Sequence, residues 1–131
     1  MCYGEDVDLG FRLRLAGWKA MLVPDAVVRH VGSASSGGQR SEFASYHGHR
    51  NMVWVYVKNM PGFLFWLFLP LHILANLASM IVLTLRGQGK VAWRAKRDAI
   101  KGLPKMWKKR KDIQSRCKAS ICDIYRALSW W

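Results

Sequence analysis

The first apolar pattern in the chain has the spacing of a helix. Leu9, Leu13 and Ala16 recur at intervals of four and three residues, which places them on one face and predicts that this face is buried. Gly17 suits the left-handed conformation that commonly ends a helix. The pattern therefore predicts a helix that begins near the acidic residues before Leu9 and ends at Gly17.

The pattern then changes to that of short strands. Residues 18–23 form an apolar run that Pro24 and Asp25 end with a turn signal. Residues 26–31 form a second run, rich in β-branched side chains. Helix, strand, turn and strand in this order predict mixed α/β structure.

A longer helix is predicted over residues 41–58, and the sequence Asn-Met-Pro-Gly at 59–62 ends it. Residues 63–85 then carry no charge over 23 positions. That length is enough to cross a hydrocarbon layer of roughly 30 Å. A soluble helix of this length needs polar positions on an exposed face, and few are present. The pattern therefore favours insertion into a membrane over a buried soluble helix.

Positive charge is concentrated in the residues that follow this apolar segment in the sequence. The net charge is +13, and residues 86–131 contribute fourteen basic and three acidic side chains to it. Residues 90–101 predict an amphipathic helix, which Gly102-Leu103-Pro104 ends. Basic residues interleaved with tryptophan are attracted to anionic headgroups. Binding to nucleic acid is not expected, because it does not explain the apolar segment. The residues predicted to meet the membrane are Phe63, Trp66, Leu85, Trp93, Arg94 and Arg97.

The topology of the apolar segment follows from the charges around it. A straight span would put the basic tail on the side opposite residues 1–60, whereas the positive-inside rule favours the cytosol for the tail. Pro70, His72 and Asn76 near the centre of the segment offer a solution. We expect a helical hairpin or a shallow in-plane element that returns to the cytoplasmic face of the cell membrane.

Three acidic residues near the N-terminus are the main candidates for chemistry. Glu5, Asp6 and Asp8 fall at the predicted helix start, where the helix dipole favours negative charge. Asp8 and Arg12 are one turn apart and are expected to pair. The simplest interpretation of acids at this position is ordinary helix capping. The alternative is that Asp6 serves as a proton acceptor.

The sequence motifs around these acids favour the role of Asp6 as a proton acceptor. The string Tyr-Gly-Glu-Asp-Val-Asp-Leu at 3–9, with Arg-Leu-Arg at 12–14 and Ala-Gly-Trp at 16–18, resembles the acceptor-side motif of bacterial family 2 glycosyltransferases of the rhamnosyltransferase-like kind. The resemblance to this family continues in the sequence at 24–26, at His30, at 50–51 and at 58–61. The resemblance implies the C-terminal portion of an α/β GT-A fold, followed by membrane-associating helices.

The resemblance also implies roles for individual residues. Asp6 is the expected catalytic base, and Glu5 orients the acceptor or its loop. His30 is the expected ligand of Mn²⁺ or Mg²⁺, together with carboxylates of a donor-binding half that is not in this sequence; a packed histidine is the alternative. Residues 32–40 are typical of a loop, which could also close as a lid over the donor. The residues expected to bind donor or acceptor are Asp8, Arg12, Ser33, Ser35 and Arg50.

The expected activity is inverting transfer of a sugar from a nucleoside-diphosphate sugar to a lipid-linked or cell-surface glycan acceptor. Residues 1–60 are expected to belong to the catalytic domain, 61–88 to a hydrophobic membrane segment and 89–131 to a basic helical tail. Because the motif stands at the start of the chain, we expect a C-terminal part of a longer enzyme that is inactive alone. The alternative is an inactive membrane-surface fragment whose tail binds anionic lipid or a partner protein.

Overall fold

A computed structural model describes residues 3–21, 23–27 and 41–128, and all regular secondary structure in these ranges is helical. No strand occurs in these ranges, so the predicted α/β, GT-A-type fold is wrong. The six helices are α1 (Glu5–Leu15), α2 (Glu42–Asn59), α3 (Gly62–Leu85), α4 (Gly89–Lys101), α5 (Leu103–Ser115) and α6 (Ile121–Ala127).

The first predicted strand does not form in its described residues, and there is a physical reason. A strand leaves its backbone groups unpaired unless a neighbouring strand bonds to them, and residues 18–21 have no such neighbour among the described residues. Most of the second run, 28–31, lies outside the described residues. The turn between the runs is confirmed: the Ala26 N–H donates to the Val23 carbonyl at 3.1 Å.

Helix α1 ends as predicted. Gly17 has a φ of +87°, its N–H donates to the Arg14 carbonyl, and the Trp18 N–H donates to the Leu13 carbonyl at 2.9 Å. These two bonds form the Schellman motif that satisfies the last carbonyls of a helix. The end of the helix is therefore encoded by one glycine.

The predicted buried face of α1 is wrong. Leu9 and Leu13 are 50% and 43% exposed, whereas Asp8 and Leu15 are buried. The helix is rotated because Asp8 forms buried polar contacts with α2, and these contacts place the leucines on the opposite side. The Leu15 carbonyl also accepts hydrogen bonds from the N–H groups of Lys118 and Ala119.

Helix α2 is the centre of the assembly and contacts α1, α3, α4 and α5. It begins where predicted, with the Ser41 hydroxyl accepting a bond from the Ala44 N–H at 3.1 Å. At its other end, the Arg110 guanidinium of α5 donates to the carbonyls of Val57 and Met60. The C-terminus of α2 is thus capped by a cation from α5, as its helix dipole favours.

The apolar core lies at this same end, where α1, α2, α3, α5 and α6 converge. The aromatic ring of Tyr56 packs on Phe65 with centroids 5.3 Å apart, and Phe65 meets Trp107 at 5.8 Å. The core residues are Leu15, Tyr56, Val57, Met60, Leu64, Phe65, Met106 and Ile124. The core therefore ties the start of α3 to the two helices that follow α4.

Candidate active site and membrane-facing surface

The acidic turn, defined as residues 3–8, has an unusual backbone. Tyr3 and Gly4 have φ values of +66° and +76°, and Tyr3 is the only described non-glycine residue with a positive φ. Such a conformation is rare for a side chain like tyrosine and persists only where the surroundings hold it. The buried Asn51 of α2 does so, because its side-chain amide donates to the Tyr3 carbonyl at 2.9 Å.

Glu5 and Asp6 are exposed at the first turn of α1. One oxygen of Asp6 accepts a hydrogen bond from the Val7 N–H at 2.8 Å, which orients the carboxylate at the helix N-terminus. The second oxygen has no protein donor among the described hydrogen bonds. The carboxylate of Asp6 is therefore positioned and open to solvent, as a proton acceptor for an external hydroxyl must be.

Asp8 has a different environment, although it lies only two residues further on. Lys58 Nζ lies 2.6 Å and Asn59 Nδ2 2.7 Å from one carboxylate oxygen, and Arg12 Nε lies 3.2 Å from the other. The expected pairing of Asp8 with Arg12 is confirmed. Burial alone would raise the pKa of Asp8, but the hydrogen bonds from Lys58 and Asn59 and the nearby positive charges outweigh it and lower the pKa. Asp8 thus remains ionised and anchors α1 to α2.

Arg50 supports the acidic turn indirectly. Its guanidinium donates to the Asn51 side-chain oxygen at 3.0 Å and lies over the Trp54 ring, 4.4 Å from the centroid. It also contacts the His47 ring nitrogen at 3.0 Å. Burial, followed by the charges of Arg50 and Arg94, lowers the pKa of His47. These contacts hold Asn51 in the orientation that reaches Tyr3.

Part of the predicted site lies outside the described residues, namely His30, Ser33 and Ser35. Within the described ranges, no three His, Cys, Asp or Glu side chains come together as a metal site. These ranges therefore do not supply a donor set for Mn²⁺ or Mg²⁺. The residues that the structure does bring together are the acidic turn, Arg12, Arg50 and Asn51.

Helix α3 has two contrasting faces. It is the one described helix whose length and apolar composition would allow it to cross a membrane. It is continuous through Pro70, so the predicted helical hairpin is wrong. Its solvent-facing side is apolar and unpartnered among the described residues; Phe63, Trp66, Leu67, Leu71, Ile73, Leu74, Leu77, Ile81, Val82 and Leu85 are each at least 43% exposed.

Two polar residues of α3, His72 and Asn76, face the protein instead, whereas Thr84 is exposed. The His72 ring stacks on Tyr56 with centroids 4.0 Å apart. The Asn76 side-chain oxygen accepts a hydrogen bond from Lys96 of α4, which also donates to the His49 carbonyl. A soluble helix buries its apolar side and exposes its polar side. Helix α3 buries Leu64, Phe65 and Leu83, but it also turns His72 and Asn76 inward and leaves a wide apolar side exposed. An exposed apolar side is the arrangement a lipid environment favours.

Lys96 is the buried cation of this arrangement. It interrupts the small buried face that Ala92, Ala95 and Ala99 form on α4. Burial lowers the pKa of Lys96 to about 8. The burial of Lys96 was not predicted from the sequence. Once α4 is known to be a helix, the position of Lys96 on the face of Ala92, Ala95 and Ala99 indicates its burial.

The exposed side of α4 carries the basic and aromatic residues that were predicted to meet the membrane. Trp93 is 66% exposed, and Arg94 lies over the Tyr46 ring, 4.5 Å from the centroid. Arg97 is exposed and pairs with Asp98 at 3.2 Å. The predicted amphipathic helix is thereby confirmed, with Arg94, Arg97 and Lys101 exposed and Lys96 buried.

No protein-family model matches this chain, and neither does a curated protein or a solved structure.

Proposed function

We propose that this chain works in glycosyl transfer at the cytoplasmic face of the cell membrane. In this proposal it presents the catalytic base of an inverting transfer to a lipid-linked or cell-surface glycan acceptor. The observation that carries it is the contrast within the acidic turn: Asp8 is buried and paired, whereas Asp6 is oriented and open. Ordinary capping does not require a strained Tyr3 backbone held by a buried asparagine.

The proposed step is a single displacement. The acceptor hydroxyl attacks the anomeric carbon of a nucleoside-diphosphate sugar, the bond to the diphosphate oxygen breaks, and the nucleoside diphosphate leaves with the electron pair. Asp6 takes the hydroxyl proton as the new bond forms, which increases the nucleophilicity of the oxygen. Glu5 orients the acceptor. The resemblance adds Mn²⁺ or Mg²⁺ to this proposal, with His30 as one ligand.

The membrane part of the proposal rests on how α3 and α4 pack. Lys96 of α4 contacts Asn76 of α3, so the two helices lie side by side. Arg94 and Arg97 are exposed on α4, and charged side chains are costly in a hydrocarbon layer. A straight span by α3 would draw these charges towards the hydrocarbon. An in-plane α3, with its apolar face in the lipid and α4 among the headgroups, avoids that cost.

Replacement of the base tests the catalytic part. Asp6→Asn, in the protein at its natural length and in its own membranes, should lower sugar transfer into the lipid-extractable fraction by about 10²–10⁴-fold. Donor binding should stay nearly unchanged. Asp112→Asn is the matched control, because Asp112 is exposed on α5 and its side chain pairs with Arg116 and with no other described residue. Transfer by Asp6→Asn within a few-fold of the unmodified protein would remove Asp6 from this role.

The helical fold favours a second candidate function. The apolar face of α3 and the cations of α4 and α5 make a membrane-binding unit that needs no catalytic residue. In this alternative the chain is an inactive membrane-surface fragment whose tail binds anionic lipid or a partner protein. Membrane binding with unchanged transfer in Asp6→Asn would favour it over the first candidate.

A further inference from the structure

A groove of about 870 Å³ lies beside the acidic turn. Tyr3, Gly4 and Val7 form one wall, and Leu83 and Arg86 at the end of α3 form another. The floor is one side of α2, with Ala44, Ser45, Gly48, His49, Met52 and Val55. The volume is within the roughly 300–1,000 Å³ typical of small-ligand sites. Glu5 and Asp6 do not line the groove, but they lie in the chain between the wall residues Gly4 and Val7, so the groove is adjacent to the acidic turn.

The chemistry of this groove is that of an amphiphile site. Val7, Met52, Val55 and Leu83 provide apolar surface. Arg86 is the one side chain with a permanent charge among the described lining residues, and none of these is acidic. The Arg86 side chain is exposed, and its guanidinium has no hydrogen bond or ion pair with any described residue. A guanidinium without a counter-ion beside an apolar wall is complementary to a phosphate that carries a hydrocarbon chain.

The source of such a ligand is indicated by the neighbouring helix. Leu83 and Arg86 belong to the end of α3, whose outer face is apolar over its whole length. If α3 lies on a membrane as proposed, this end of the groove is next to the lipid. We infer that the groove binds a lipid phosphate, with the phosphate on Arg86 and the chain along Met52, Val55 and Leu83. That this lipid is the sugar acceptor rests on the proposed function.

Decyl phosphate is a suitable probe, and the Met52 methyl group is a suitable reporter. The full chain in a neutral detergent is titrated while methionine methyl resonances are followed by NMR. Decyl phosphate should shift Met52 saturably and leave the buried Met106 unchanged. Decanol, which lacks the anion, and inorganic phosphate, which lacks the chain, should each bind at least 10-fold more weakly. Equal binding of inorganic phosphate, or no saturable shift with decyl phosphate, would overturn the inference.

Two pairs of variants locate the ligand. Gly48→Leu fills the groove, and a Cβ at this position meets no atom within 4 Å, so the helix should gain rather than lose stability. It should weaken decyl phosphate binding at least 10-fold. The control is Gly10→Leu on α1, whose Cβ also meets nothing within 4 Å and which does not line the groove. Unchanged affinity in Gly48→Leu would place the ligand elsewhere.

Charge is tested in the same way. Arg86→Gln should weaken decyl phosphate about 10-fold or more but leave decanol unchanged, whereas Lys90→Gln removes a nearby exposed charge and should have little effect. Equal losses in both variants would indicate attraction by net charge alone and overturn the site. Asp6→Asn should bind the probe normally. If the unmodified protein binds decyl phosphate but Asp6→Asn still transfers sugar normally, the proposed function is wrong and the groove assignment stands. If the unmodified protein does not bind decyl phosphate but Asp6→Asn loses transfer, the groove assignment is wrong and the proposed function stands.

Discussion

At the scale of single residues, burial separates acids that the sequence presents together. Asp6 and Asp8 are two positions apart in one turn of α1, yet one is open and the other lies among Lys58, Asn59 and Arg12. The i, i+4 spacing predicted the Arg12 contact. The contacts with Lys58 and Asn59 join residues about 50 positions apart in the chain. No local pattern contains that information, and for this reason the buried face of α1 was predicted wrongly.

The buried ion pair makes Asp8 a stability residue. Asp8→Asn leaves Lys58, which is 6% exposed, without its counter-ion. Removing one partner of a buried pair typically costs about 3–5 kcal/mol, so the free energy of unfolding should fall by about that amount. Urea unfolding in neutral detergent measures it, and hydrogen exchange should show faster opening of α1. The exposed pair of Asp112 is the comparison, and Asp112→Asn should cost below about 1 kcal/mol. Equal effects of the two substitutions would contradict the anchoring role.

The buried lysine predicts a pH dependence in the alkaline range. Below pH 8, Lys96 is charged in both the folded and the unfolded chain. Between about 8, its pKa in the folded chain, and 10.5, its ordinary value, the unfolded chain keeps a proton that the folded chain has released. The free energy of unfolding should therefore rise over this range. Urea unfolding from pH 7 to 10.5 should show the rise, which Lys96→Met should remove and the exposed Lys101→Met should retain. A rise that persists in Lys96→Met would assign it to another group.

At the scale of elements, the helices were the predictable part. Signals inside each segment encode them: Ser41 before α2, the Met60-Pro61 break before α3, and Gly102 after α4. Strands depend on partners elsewhere in the chain, so residues 18–21 have a strand-like composition but no pairing strand among the described residues. The position of the acidic turn in the sequence was predicted from the motif at residues 3–9. Its support by Asn51 and the groove beside it depend on how α1 and α3 pack against α2, which no single segment specifies.

The outer face of α3 should be the main membrane contact. Leu74 is 62% exposed in the middle of this face, so Leu74→Lys should leave the fold intact. Loss of one buried leucine side chain corresponds to about 1.5–3 kcal/mol, which is roughly 10- to 100-fold in partitioning. Sedimentation with neutral phosphatidylcholine vesicles measures this. Leu9→Lys on α1, where Leu9 is 50% exposed, is the matched control and should sediment normally. Similar losses for both variants would mean that α3 is not the contact.

At the scale of the whole molecule, an uncharged segment is followed by a strongly basic one, and this distribution is the basis of the proposed membrane contact. The 63–85 segment carries no charge, and the residues after it carry a net charge of +11. The helices on either side of α3 in the chain, α2 and α4, pack against each other and against α3. His72 and Asn76 of α3 make contacts within this packing. The outer apolar side of α3 and the exposed cations of α4 and α5 are the surfaces that the proposal assigns to the membrane.

This packing predicts a topology. Because α2 and α4 pack against each other, and α2 also packs against α5, Ser41 and Lys111 should lie on the same, cytosolic side. Single cysteines at positions 41 and 111, in a background without Cys2, Cys117 and Cys122, can be tested with a membrane-impermeant maleimide. Neither position should react in intact cells, and both should react once the membrane is opened. High salt should not extract the protein, since lipid contact by α3 is hydrophobic, whereas salt should weaken attraction of the tail to anionic lipid. Reaction of position 111 in intact cells would mean that α3 crosses the membrane and that the in-plane arrangement is wrong.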